Sequence, residues 1–309
     1  MNRLRHSFSG YLRSMQMSHT VLYIFIEGYR AERYVYSQII ESESKRLKLP
    51  YQIVPIEEIS GNTGGKIAML SFFDYLSYKS SLIDRFKGKT TISIFFLDKD
   101  IDDLLRTKRK SKHIIYTKTY EIENYFFIYG DLSRAVASSA SLDIGSVRAE
   151  IGNNTKWRKC AAIKWKDWVK MCLFSHIHKI RSMCNYGQTK SPINNGMYGS
   201  VKRKEYKSHL SKLNSKSGLP LNRFNSKFTR LSRLVDKIYS KGQYDLIFKG
   251  RWYAYFLIED IRKIARGRRY AQVSVNMLIS NLTQTLDFND IWTNHFRKPI
   301  CRLVAESGL

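Results

Sequence analysis

Two continuous apolar runs dominate the chain, Val21 to Ile26 (VLYIFI) and Thr91 to Leu97 (TISIFFL). Both are rich in β-branched and aromatic residues and show little polar alternation, the pattern of strands buried on both faces. Glu27-Gly28 ends the first run and Asp98-Lys99-Asp100 ends the second. Between them, Ala31, Val35 and Ile39 recur every four residues and predict a helix with one buried stripe. A short strand is predicted around Gln52 to Ile56. A glycine-rich turn, Gly61-Asn62-Thr63-Gly64-Gly65, and a helix from Lys66 to about Tyr78 follow. His113 to Thr117 reads as a fourth strand. This alternation predicts an α/β fold with a mostly parallel sheet flanked by helices.

After about Asp131 the texture changes. Trp157, Ala161, Trp165, Trp168 and Cys172 have helical spacing. They predict a helical region to about Lys241, interrupted by the polar stretch Tyr186 to Ser200, with the three tryptophans as packing core. Trp252 to Ile264 reads as an amphipathic helix whose buried positions are Tyr255, Ile258 and Ile261. The expected organisation is a catalytic core over 1–130 and a basic, mainly helical insertion over 131–245. A C-terminal helical segment over 246–309 is expected to pack back on the core.

Charge changes the picture. The 309 residues hold 53 Lys and Arg against 26 Asp and Glu, a net charge of +27. Self-repulsion of that size points to a polyanionic partner, and nucleic acid fits better than an anionic membrane surface. No apolar run approaches the roughly 20 residues of a membrane span. The N-terminal stretch is basic but lacks the apolar centre of a secretory signal. The four cysteines (Cys160, Cys172, Cys184, Cys301) form no C-x-x-C pair, which fits reduced thiols and a cytoplasmic protein.

Glu27 and Asp98/Asp100 follow buried strands directly. In α/β sheets ligands gather at the carboxyl ends of strands, and acids placed there are costly unless partnered. Three such carboxylates suit a hard divalent cation, Mg2+ or Mn2+. Glu27, Asp98 and Asp100 are therefore the candidate metal set. Asp98 and Asp100 are expected on one side of an extended chain, with Asp102 continuing that parity and Asp103 capping the next helix. A metal would activate water for phosphodiester cleavage while Glu27 handles the proton. Glu123 is a candidate for a supporting or second-metal carboxylate, and Lys249 for a point charge against phosphate. The competing reading makes these acids turn and cap residues.

Arg106, Lys108, Arg109, Lys110 and Lys112 follow the Asp-x-Asp strand and are candidates to guide a nucleic-acid backbone. Lys202, Arg203 and Lys204, with Lys207, Lys212 and Lys216, form a second basic concentration. Gly61 to Lys66 lacks phosphate-loop spacing and reads as a turn. His176-x-His178 has no companion ligand and reads as surface histidines.

The order strand–Glu27-Gly28–helix, then strand–Asp98-x-Asp100, resembles the TOPRIM fold of topoisomerases, bacterial primases and OLD-family nucleases. Gly64-Gly65-Lys66, Glu121-Ile122-Glu123-Asn124-Tyr125-Phe126 and Lys249-Gly250-Arg251-Trp252 narrow the resemblance. Together they are similar to the stand-alone TOPRIM effectors of bacterial anti-phage systems, the AriB family of PARIS defence. That resemblance covers about Val21 to Tyr129 and resumes near Lys249. It implies a toxin held silent by an ABC-type ATPase partner, released on infection as a nuclease that cuts host tRNA, and a homodimer when active. The fold alone also accommodates an OLD-type DNA endonuclease or a non-catalytic nucleic-acid-binding or regulatory subunit.

Overall fold

The computed structural model describes residues 7–28, 31–60, 64–266 and 271–309. The first elements are α1 (Phe8–Met17), β1 (Leu22–Ile26), α2 (Ala31–Leu47), β2 (Tyr51–Pro55), α3 (Glu57–Ser60) and α4 (Lys66–Tyr78). They are followed by β3 (Ile83–Phe86), β4 (Lys89–Leu97), α5 (Asp102–Leu105) and β5 (Ile114–Tyr116). Helices then run to the end: α6 (Glu123–Tyr129), α7 (Leu132–Ala140), α8 (Ile144–Ile151), α9 (Asn154–Lys164) and α10 (Lys166–Ile177). The last are α11 (Arg203–Ser217), α12 (Leu221–Ser240), α13 (Gly250–Ile264), α14 (Val275–Thr283) and α15 (Asn294–Ser307). Gly61, Asn62 and Thr63 of the expected turn lie outside the described residues. Gly65 caps α4 with φ +83°, a conformation that favours glycine.

The chain divides into two compact units. The first holds residues 1–99, 107–117 and 287–309, and the second holds 100–106 and 118–286. The first unit contains the sheet, in order β2-β1-β4-β3 with β5 also on β4. β1 pairs in parallel with β2 and β4, and β5 in parallel with β4; β3 is antiparallel. The Ser93 and Phe95 N–H groups donate to Leu82 and His113, so β3 and β5 share the outer edge of β4.

Helices cover this sheet on both faces, which is why β1 and β4 lack polar alternation. On one face Phe25 and Phe95 meet Phe72 of α4 and Tyr11 of α1, with Phe25–Phe95 centroids 4.8 Å apart. On the other, Phe96 lies 4.6 Å from Tyr36 of α2 and 5.5 Å from Phe296 of α15. The mostly parallel sheet flanked by helices agrees with the sequence. The antiparallel β3 was not expected.

The second unit is helical. The predicted Trp157 to Cys172 series is buried throughout, but it is divided between α9 and α10 at Trp165. Trp165 packs against Trp252 and Phe256 at 5.3 and 5.2 Å. In α13 the large apolar residues that are buried are Trp252, Tyr253, Phe256, Leu257 and Ile261. Tyr255 and Ile258, expected inside, are only half-buried, because α13 is lined by α6, α8 and α14 and its apolar face turns toward them. The division also falls elsewhere than the sequence boundaries. Residues 246–286 cluster with the helical unit, and only 287–309 returns to the sheet unit. Among the described residues no helix is long and apolar enough to cross a membrane.

Candidate functional site

Glu27 is the first residue after β1, and β1 runs parallel to β4, so both strands end on the same side of the sheet. The Glu27 Oε1 accepts the Asp98 N–H at 2.9 Å, linking the two strand ends through a carboxylate. Both residues are half-buried. The following Lys99 N–H donates to Thr117 Oγ1 at 2.9 Å, and the Thr117 N–H donates to the Leu97 carbonyl at 3.0 Å. The turn after β4 is thereby tied to the ends of β1 and β5.

At Asp100 the chain enters the helical unit. Its φ is +51° and its N–H donates to the Tyr120 carbonyl at 2.6 Å. The expected extended alternation through Asp98-x-Asp100 is therefore wrong: β4 stops at Leu97 and the backbone turns left-handed two residues before α5 begins. Asp103 is not a cap either. Ile101 holds the cap position of α5, and Asp102 and Asp103 both lie in its first turn, where acids suit the helix dipole.

Within the helical unit, Glu123 opens α6 and is half-buried, so it is neither a loop acid nor part of the strand. The deeper acid is Glu121, only 6% exposed. Its Oε1 accepts the Arg251 N–H at 2.7 Å, and the Lys249 ammonium stands 4.0 Å from Oε2. Burial pushes the Glu121 carboxyl well above the ordinary carboxylate range. The negative charges of Glu123 and Asp100 add to that rise, while Lys249 and the Arg251 N–H oppose it.

Gly250 explains why these two basic residues arrive here. A Cβ on Gly250 would lie 2.4 Å from the Asn124 backbone nitrogen and 2.7 Å from the Glu123 carbonyl carbon. Only glycine lets the start of α13 close on the start of α6 so tightly.

Beneath this corner lies a second acid that the sequence reading did not single out. Asp245 pairs with Arg158 at 2.5 Å and accepts from Tyr253 Oη at 2.9 Å, with both charged side chains nearly buried. Asn124 joins it to Glu121: its Oδ1 accepts the Glu121 N–H at 3.1 Å, and its Nδ2 donates to Asp245 at 3.3 Å and to the Phe248 carbonyl at 3.0 Å. The Asp245 carbonyl also accepts the Tyr120 N–H at 2.8 Å. Both backbone groups of Tyr120 are thus engaged, its N–H by the Asp245 carbonyl and its carbonyl by the Asp100 N–H. Burial raises the Asp245 pKa, although Arg158 pulls against that rise.

The basic candidates divide. In the sheet unit Arg109 pairs with Asp74 at 2.8 Å, Lys112 with Glu306 at 2.5 Å, and Lys108 lies 4.8 Å from the Tyr116 ring centroid. In the helical unit Arg106 is an exposed left-handed cap of α5, and Lys202, Arg203 and Lys204 are exposed at the start of α11. Lys110 is exposed. Of the two histidines expected at the surface, His176 is exposed and His178 is half-buried against the Phe174 ring at 4.4 Å.

A scan of protein-family models and a search of curated proteins find no match to this chain.

Glu27 and Asp98 in the sheet unit, and Asp100, Glu121 and Glu123 in the helical unit, offer carboxylate oxygen, the donor chemistry of Mg2+ and Mn2+. At Glu121, burial and the negative charges of Glu123 and Asp100 raise the carboxyl pKa against the pull of Lys249, a rise that a nearby divalent ion would oppose. The residues fit such an ion.

Proposed function

We propose that this chain is a metal-dependent nuclease of TOPRIM type, with Glu27, Asp98 and Asp100 as its metal carboxylates. The observation that carries the reading is the Glu27–Asp98 link, which sets two acids at the carboxyl ends of adjacent parallel strands. An Mg2+ or Mn2+ ion held there supplies phosphoryl polarisation and a lowered water pKa. Glu27 accepts the proton from the attacking water. Lys249 is the candidate positive charge for the phosphate, and Glu123 the candidate supporting or second-metal carboxylate. Arg106, Lys108, Arg109, Lys110, Lys202, Arg203 and Lys204 contact the nucleic-acid backbone, which a chain of net charge +27 attracts strongly.

The resemblance to AriB-type effectors supplies the biological setting of the proposal. The substrate is structured RNA, tRNA foremost. The protein acts in the cytoplasm as an anti-phage toxin, is restrained by an ABC-type ATPase partner and works as a homodimer. An OLD-type DNA endonuclease uses the same carboxylates, so the substrate arm of the test is decisive. Purified protein with Mg2+ is incubated with total tRNA and with plasmid, alongside Glu27→Ala. The expected result is tRNA cleavage that EDTA abolishes and that Glu27→Ala lowers by about 10³-fold or more, with folding and RNA binding retained. Cleavage of plasmid alone selects the DNA reading. An undiminished Glu27→Ala enzyme overturns the catalytic assignment.

A further inference from the structure

The charges of α12 are sorted by flank. Its buried stripe is Phe224, Phe228, Leu231, Val235, Ile238 and Tyr239, of which Phe224 and Phe228 pack on Phe174 of α10 at 5.0 and 5.4 Å. At about 100° per residue, Arg223, Lys227, Arg230, Arg233 and Lys237 fall in one arc of about 120° beside that stripe. The opposite flank holds Asn225, Thr229, Ser232 and Asp236, which are neutral or acidic. The five cations are all exposed. Among the described residues, none of them takes part in an ion pair. Asp236, the one acid of the helix, faces α10 and is taken up there by Lys166 at 3.0 Å and Lys170 at 3.2 Å.

This arrangement opposes itself in the isolated protein. Arg223/Lys227 and Arg233/Lys237 are like-charge pairs at i,i+4, and Lys227/Arg230 and Arg230/Arg233 are like-charge pairs at i,i+3; such pairs destabilise a helix. An acid on the same flank would relieve them, and none is there. From Arg223 to Lys237 the stripe runs about 21 Å, with no exposed aromatic among its residues. Single-stranded nucleic acid is held by aromatic stacking platforms as well as charge. A straight row of cations without aromatics suits the continuous phosphates of a duplex, where charge recurs along the axis whatever the register.

We infer that the Arg223–Lys237 flank of α12 is the docking surface for the phosphate backbone of a duplex RNA stem. The choice of RNA rests on the nuclease reading above; the choice of a duplex rests on α12 itself. Contact is to backbone only, so affinity depends on salt and hardly on sequence.

The test measures binding of the full chain to a 20-base-pair RNA hairpin by fluorescence anisotropy across a KCl series, in EDTA so that cleavage plays no part. Arg223→Gln/Lys227→Gln/Arg230→Gln is compared with Lys48→Gln/Lys79→Gln/Lys87→Gln, which removes the same charge from exposed positions of the sheet unit. The α12 variant is expected to bind at least about 10-fold more weakly in 0.1 M salt, with a salt slope lower by about one per cation removed. The control is expected to change less than about 3-fold. Circular dichroism should show both folded, since all six side chains are exposed. Equal loss in both variants overturns the proposal, because net charge alone then explains binding. So does a preference for single-stranded RNA, for DNA duplex of the same sequence, or for phosphatidylserine vesicles that the α12 substitutions remove. Absence of cleavage with α12-dependent duplex binding intact would remove the nuclease reading and leave this surface standing.

Discussion

Glu121 and Asp245 lie in the same helical unit and share Asn124, yet their surroundings are opposite. Around Asp245, Arg158 supplies a full charge at 2.5 Å, and Tyr253 and Asn124 supply further donors. Around Glu121, one backbone N–H is close, the nearest ammonium is 4.0 Å away, and Glu123 and Asp100 add negative charge. A buried carboxylate with a close cation and saturating donors is a structural strut. One crowded by other acids is held at a cost that a bound cation would remove. The difference separates an acid that is paired from one that is crowded.

The largest expected effect comes from breaking the strut. Asp245→Ala leaves Arg158 buried without its counter-charge, and thermal or urea unfolding should show a loss of about 3–5 kcal/mol. A loss below about 1 kcal/mol would show that the pair does not hold the corner together. Next is Gly250→Ala, where the added methyl meets the Asn124 backbone at 2.4 Å. Forcing α13 away from α6 should cost about 2–3 kcal/mol and weaken the Arg251–Glu121 contact. Unchanged stability would show that this close approach is not enforced.

Glu121→Gln should move the other way. It keeps an acceptor for the Arg251 N–H while removing a crowded charge, so unfolding in EDTA at pH 8 should show a gain of about 1 kcal/mol. The stabilisation that Mg2+ gives the wild type should shrink in the same variant. If Glu121→Gln proves as damaging as Asp245→Ala, the two acids are both struts and the contrast fails.

The smallest effect sharpens the comparison from the sheet unit. Burial would raise the pKa of Glu43 in α2, but Arg46 at 2.7 Å, the Cys301 thiol at 3.2 Å and Arg297 at 3.9 Å lower it overall. A depressed carboxyl contributes stability above its unfolded pKa, ordinarily 4.5, and loses it as pH falls through the folded value. Glu43→Gln should therefore cost about 0.5–1 kcal/mol at pH 7. That difference should fade below the ordinary glutamate range, and a difference that persists in acid would assign the effect to packing.

The sheet was legible because β1 and β4 carry their burial in their own residues: no polar position interrupts Leu22 to Ile26 or Ile94 to Leu97. Glu27 and Asp98 were legible for the same reason, as charges placed directly after such strands. β3 was not, because Ile83-Asp84-Arg85-Phe86 is short and half polar and becomes a strand only by pairing with β4. The alternation expected through Asp100 failed because a strand pattern cannot say where the backbone leaves the sheet. Glu121 was passed over for Glu123 because what buries and holds it, the Arg251 N–H, comes from 130 residues away. Asp245 was not singled out because its partner Arg158 lies 87 residues away in sequence.

The place of β3 has a consequence for how safely the chain can be made. The two strands with the greatest tendency to recruit other strands, β1 and β4, are both interior, while the margins fall to β2, β3 and β5. β2 ends in Pro55, which cannot donate, and β3 brings Asp84 and Arg85 to the outer margin. Short, charged or proline-ended margins discourage strand addition between molecules. The β3–β4 hairpin needs only residues 83–97 and can close as soon as β4 is synthesised. An exposed Ile92–Leu97 segment would be a ready template for aggregation; the hairpin gives Lys89 to Ile92 a partner from the same chain at once, and β5 then covers Phe95 to Leu97 on the same edge.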